Sequence, residues 1–67
     1  MSEMVRVDLP ALMRALGDSA PEVYGVAFAR SFCRAQRGDK LSIANLDRMA
    51  VKLGVHYSYL LADEDEL

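Results

Sequence analysis

The sequence predicts an all-α domain, a compact bundle of four to five short helices. Three observations carry that expectation. Apolar residues recur at three- and four-residue spacing in separate segments, which is the period of a helix face. Capping residues open these segments, and Gly17, Gly25, Gly38 and Gly54 punctuate the chain at helix-length intervals. No segment keeps a sustained period of two, so strands are not expected.

The first helix is expected over residues 8–16. Asp8 is a good N-cap, Val7 is placed to staple onto Leu12, and Pro10 falls in the first turn, where its missing N–H costs nothing. Leu9, Leu12, Met13 and Leu16 form its apolar stripe, and Gly17 ends it. Ser19 and Glu22 then stand at the spacing of a capping box. Helical signal continues to Gln36, with Gly38 as the closing glycine.

Along this second segment Tyr24, Phe28, Phe32 and Ala35 fall on one side. Arg30, Arg34 and Arg37 fall on the other, within about 60° of each other at 100° per residue. An interior glycine costs roughly 1 kcal/mol relative to alanine. Gly25 therefore either sits inside one long helix or marks a tight turn that splits it. Ser42 caps a third helix with Ile43, Leu46, Met49, Ala50 and Leu53 inside and Asn45, Asp47, Arg48 and Lys52 outside. Gly54 closes it and Val55 completes the cap. A last short helix spans residues 57–62. The expected core is Leu9, Leu12, Leu16, Phe28, Phe32, Ile43, Leu46, Met49 and Leu53.

The chain has 67 residues, of which 52% are hydrophobic and 27% charged, which reads as one small domain over residues 1–67 and not a disordered or low-complexity polymer. No apolar run approaches the ~18 residues of a membrane span. The charged start, with Glu3, Arg6 and Asp8, does not resemble a secretory leader. A single cysteine forms no internal bridge, so a reducing, cytoplasmic setting is expected. A chain this short lies near the limit of independent stability, which makes self-association the natural expectation. The net charge of −2 conceals an uneven distribution, because Asp63, Glu64, Asp65 and Glu66 gather in a tail over residues 63–67. Residues 23–62 hold six bases against two acids, so the middle of the chain is basic.

Catalytic chemistry has little to work with. His56 is the only histidine, and it follows a helix-ending Gly-Val, where a cap or a ring packed on tyrosine is the ordinary role. Zinc needs three or four close His or Cys ligands. Cys33 lies between the aromatic and arginine faces and reads as a small, semi-buried hydrophobe. The acids 63–66 lack the glycine and alternate spacing of a calcium loop, and the scattered glycines build no phosphate cradle. Neither an enzyme nor a metal or cofactor is expected.

The arginine face is the one constellation with chemical content. Arg30, Arg34 and Arg37, at i, i+4 and i+7 with no compensating acid, repel one another, and Lys40 follows in the next turn. A phosphate backbone supplies the missing charge through counterion release, and an arginine fork reads guanine O6 and N7 in the major groove. An ordinary basic surface, or a face that pairs with an acidic protein partner, is the alternative. Tyr57, Tyr59, Leu60 and Leu61 put four large side chains into five residues, more than one short helix is expected to bury, and mark a homodimer surface.

A stretch over residues 36–55, Q-R-G-D-K-L-S-I-A-N-L-D-R-M-A-V-K-L-G-V, resembles the pattern E-R-G-x-x-x-P-S-L-x-x-L-x-x-I-A-x-A-L-G-V. That pattern belongs to the Cro/lambda-repressor, or Xre-type, class of helix-turn-helix domains. Residues 57–61 are similar to its fifth helix, and Gly25 and Gly38 to the limits of its recognition helix. The first half is compressed relative to the family, with Pro21 near the expected alanine. Two registers remain: a turn at Gly17 with a long helix over residues 20–36, or a turn at Gly25 with a recognition helix over residues 27–36.

The resemblance implies a sequence-specific DNA-binding regulator, a small repressor of the phage or mobile-element kind that binds a palindromic operator as a homodimer. Arg30 and Arg34 would then reach bases or nearby phosphates, and Arg37 and Lys40 would hold phosphates beyond the helix end. Ser42 and Asn45 at the next helix start, with Ser31 and Gln36, are further polar candidates. The alternative is a protein-interaction module, such as an antitoxin, anti-repressor or inhibitor, on the same scaffold without DNA binding.

Overall fold

The computed structural model describes residues 3–62. In order it contains β1 (Met4–Val5), α1 (Leu9–Leu16), a 3-10 turn (Pro21–Tyr24), α2 (Val26–Gln36), β2 (Leu41–Ser42), α3 (Ile43–Leu53) and α4 (Tyr57–Leu60). Helix dominates, as expected, but a short two-stranded sheet is present where none was expected.

The ends of α1, α2 and α3 follow from local chemistry. Asp8 Oδ1 accepts the Ala11 N–H at 3.2 Å and so satisfies one orphan donor at the start of α1. Ser42 Oγ accepts the Asn45 N–H at 3.2 Å and does the same for α3. At the far end of α2 the Asp39 N–H reaches the Arg34 carbonyl at 3.0 Å and the Gly38 N–H reaches that of Ala35 at 3.0 Å. The Val55 N–H likewise returns to the Ala50 carbonyl at 3.0 Å after α3, around Gly54 at φ 78°. Both are Schellman closures, in which a glycine in a positive-φ conformation lets the chain reverse onto its last carbonyls. His56 caps α4, its Nδ1 accepting the Ser58 N–H at 3.1 Å, and its ring stacks on Tyr57 with centroids 4.7 Å apart.

The segment between α1 and α2 departs from the capping box. A residue before proline is pushed into extended backbone, and Ala20 adopts φ −80°, ψ 143° ahead of Pro21. The cap position therefore falls on Ala20, one residue later than Ser19, and no side chain caps the turn. The 3-10 turn ends on Gly25 at φ 110°, ψ 166°, and α2 begins at the next residue. No long helix crosses Gly25; the chain breaks there.

Residues 3–8 form an extended strap. Met4 pairs with Ser42 and Val5 with Leu41 in antiparallel register. The Ile43 N–H reaches the Glu3 carbonyl at 3.2 Å. On the other edge, the Asp8 N–H donates to the Leu60 carbonyl at 2.8 Å and the Ala62 N–H to the Arg6 carbonyl at 3.1 Å, flanking a Val7–Leu61 bridge. This pairing draws Leu61 into extended backbone, so α4 stops at Leu60 and does not continue to residue 62.

Leu12, Leu41, Leu46 and Leu60 are fully buried, and Leu16, Phe28, Phe32, Ala35, Met49 and Ala50 join them in one core. Each buried leucine contributes about 2 kcal/mol of transfer free energy. Leu9 and Leu53 pack at the edge of this core. Ile43 is only half-buried and lies outside the cluster, while Leu41 and Leu60 enter it unexpectedly. On α1 the buried face runs from Leu12 and Leu16 to Ala11, and Met13 turns outward, 44% exposed.

Candidate nucleic-acid interface

The core packing of α2 leaves its arginine side open to solvent. Phe28, Phe32 and Ala35 lie on one side of the helix and anchor it in the core. Tyr24, on the preceding turn, packs its ring against Phe28 with centroids 4.8 Å apart. With that side fixed, the 3.6-residue period sends Arg30, Arg34 and Arg37 outward. They line one open groove together with Val26, Ala29, Cys33 and Glu22.

The three arginines are not equivalent. Arg30 is exposed and Arg34 half-buried, and neither has an ion-pair partner among the described residues. Arg37 does have one: its Nη2 lies 3.1 Å from Asp39 Oδ2. The expectation of a face without compensating acid is corrected at this position. Both side chains of the pair are largely exposed, and such surface pairs contribute about 0–1 kcal/mol, so the Arg37 head exchanges readily onto another anion.

The remaining candidates separate by location. Lys40 is exposed in the connection between α2 and β2. Ser31 and Asn45 meet across a cleft between α2 and α3, whose wall also includes Arg48 and Lys52. Those two cations were not among the sequence candidates, although their four-residue spacing on the outer side of the third helix was the available signal. Ser42 is occupied as a cap, and Gln36 sits at the end of α2 outside the arginine groove. Cys33 is exposed beside the arginines, which corrects its reading as a semi-buried hydrophobe.

The surface expected of the last helix is reduced. Leu60 is fully buried in the chain's own core, and Tyr57 and Leu61 pack against that core. Strap pairing supplies the burial that one short helix lacks. Tyr59 alone of the four stays outward, 43% exposed. Its hydroxyl accepts a long hydrogen bond of 3.4 Å from Arg14 Nε, which raises the Arg14 guanidinium above its ordinary value.

Among the described residues no three His, Cys, Asp or Glu side chains gather where they would hold a metal ion. No helix of the described chain is long and apolar enough to cross a membrane. The acidic residues 63–66 lie outside the described residues. No family model matches the chain, and no curated protein or solved structure matches it.

Proposed function

We propose that this chain is a helix-turn-helix DNA-binding regulator of the lambda-repressor-like kind, a non-enzymatic repressor that acts as a homodimer on a palindromic operator. One observation carries the reading: α2 starts abruptly at Gly25 after a short 3-10 turn and presents Arg30, Arg34 and Arg37 to solvent opposite an aromatic anchor. The turn–helix break favours the register in which Gly25 is the motif turn and α2 is the recognition helix. In that register Arg30 and Arg34 read bases or hold adjacent phosphates, while Arg37 and Lys40 hold phosphates beyond the helix end.

Fluorescence-anisotropy titration against DNA from immediately upstream of the protein's own gene, beside a shuffled duplex, tests this. The expected result is tight binding to the first duplex, weakening steeply with salt, and a loss of preference in Arg34→Ala. Equal weak binding to both duplexes, or none, contradicts it.

A specific observation favours a second reading. Val23 and Val26 are 71% and 70% exposed, and Val26 shares the arginine groove with Cys33. An apolar strip bordered by cations suits an acidic amphipathic protein segment, as in an antitoxin or inhibitor. A stable complex with such a protein, in the absence of any DNA binding, would establish it.

A further inference from the structure

The cleft between α2 and α3 sits on the other side of the α2 N-terminal turn from the arginine groove. Its volume is about 250 Å³. Tyr24, Phe28 and Met49 give it an apolar floor, and Arg48 and Lys52 stand on its α3 wall. The two cations are four residues apart, so they occupy one side of α3. Asp47, about 100° round the helix from Arg48, does not lie in this wall.

Arg48 Nη1 donates to Asn45 Oδ1 at 3.2 Å, a neutral acceptor that orients the guanidinium but leaves its charge uncompensated. Neither Arg48 nor Lys52 has an acidic partner among the described residues. An uncompensated cation pair over an apolar floor matches a group that is anionic at one end and apolar at the other. A sugar–phosphate unit has that character, with phosphate oxygens for the cations and a deoxyribose face for the half-buried Tyr24 ring. The cleft is too small for a folded segment and lies below the ~300–1,000 Å³ of ordinary small-molecule pockets.

We infer that the cleft between α2 and α3 seats one sugar–phosphate of the DNA backbone, with Arg48 and Lys52 neutralising its charge. The inference rests on the DNA-binding reading and extends it, since it adds a phosphate anchor on α3 beside the surface α2 offers to the groove. Ser31, lining the same cleft from α2, is then a neighbour of the backbone and not a reader of bases.

The test compares wild type with Arg48→Ala, Lys52→Ala and Arg14→Ala on one operator duplex, measuring affinity across a salt series. Arg14→Ala removes the same single charge from α1 and so controls for net charge; because Arg14 is bonded to Tyr59, light scattering on this variant first establishes that its oligomeric state equals that of wild type. The expected result is a shallower log–log salt slope for each of Arg48→Ala and Lys52→Ala, by about 0.9 for each phosphate contact the bound homodimer loses, an unchanged slope for Arg14→Ala, and an unchanged sequence preference in all three. All three positions are exposed, and far-UV circular dichroism confirms that each variant folds. Slopes equal to wild type at positions 48 and 52, or an equal fall for Arg14→Ala, overturn the inference while leaving DNA binding by α2 intact. Absence of DNA binding by the wild type overturns both.

Discussion

Gly25 is the residue on which the arrangement of α2 depends. Its backbone, at φ 110° and ψ 166°, lies in a region open essentially to glycine alone. A Cβ placed there meets no atom within 4 Å, so the demand is conformational and not steric. Gly54 also meets nothing within 4 Å, but at φ 78° and ψ 25° it is in the milder left-handed region. Gly25→Ala is therefore expected to cost about 2 kcal/mol and Gly54→Ala about 1 kcal/mol, measured as shifts in a urea-unfolding midpoint. A Gly25→Ala protein as stable as wild type would mean that the break before α2 is not needed by the fold. Functionally the break matters because it fixes where α2 begins, while Phe28, Phe32 and Ala35 set which side its arginines take.

At the scale of elements, α4 shows how neighbours decide what a short helix does. Leu60 is fully buried where the strap pairs with the chain at the end of α4, through the Asp8 amide on the Leu60 carbonyl and the Ala62 amide on the Arg6 carbonyl. Leu60→Ala is expected to cost about 2–5 kcal/mol by cavity formation. Tyr59→Asp is expected to leave stability largely intact, since Arg14 remains beside it as a partner, but to convert a dimer into a monomer by light scattering. A Tyr59→Asp protein with unchanged dimer mass would remove α4 from the proposed association surface.

The same elements show what could be read beforehand. The limits of α1 and α3 were legible because Asp8, Ser42, Gly17 and Gly54 make their hydrogen bonds or turns locally, within a few residues. The outward arginines were legible from period alone. Ser19 was misread because the constraint at Ala20 comes from the proline after it, which outweighs a matching capping pattern. The strap was not legible because its ladders are only two residues long, too short for a period of two to emerge. Val5 and Val7 turn inward around an exposed Arg6, which is the one trace of it. Leu41 and Leu60 stood outside every long helical stripe and so escaped the expected core.

At the scale of the whole molecule, the first residues tie the last ones to the middle. The strap bonds α3's start at Ile43 and the chain after α4 at Ala62, and it leads directly into the Asp8 cap of α1. With its one cysteine free, the domain holds its ends together by this pairing and by the shared core. Native-state hydrogen exchange should find the amides of Asp8, Ile43 and Ala62 opening only with global unfolding. Fast exchange at these three, with protection kept in α2 and α3, would show the strap to be dispensable.

That framework leaves α2 and the facing wall of α3 as a cationic surface, with the strap and α1 elsewhere in the fold. The central claim is that α2's outward side is where DNA binds. Its most direct test is an ¹H–¹⁵N spectrum of the labelled protein with and without duplex DNA from upstream of its gene. The account predicts that the largest shifts fall on α2, around Arg30 and Arg34, with a second set on α3 near Arg48 and Lys52. An unchanged spectrum, or shifts confined to α1 and α4, would contradict it.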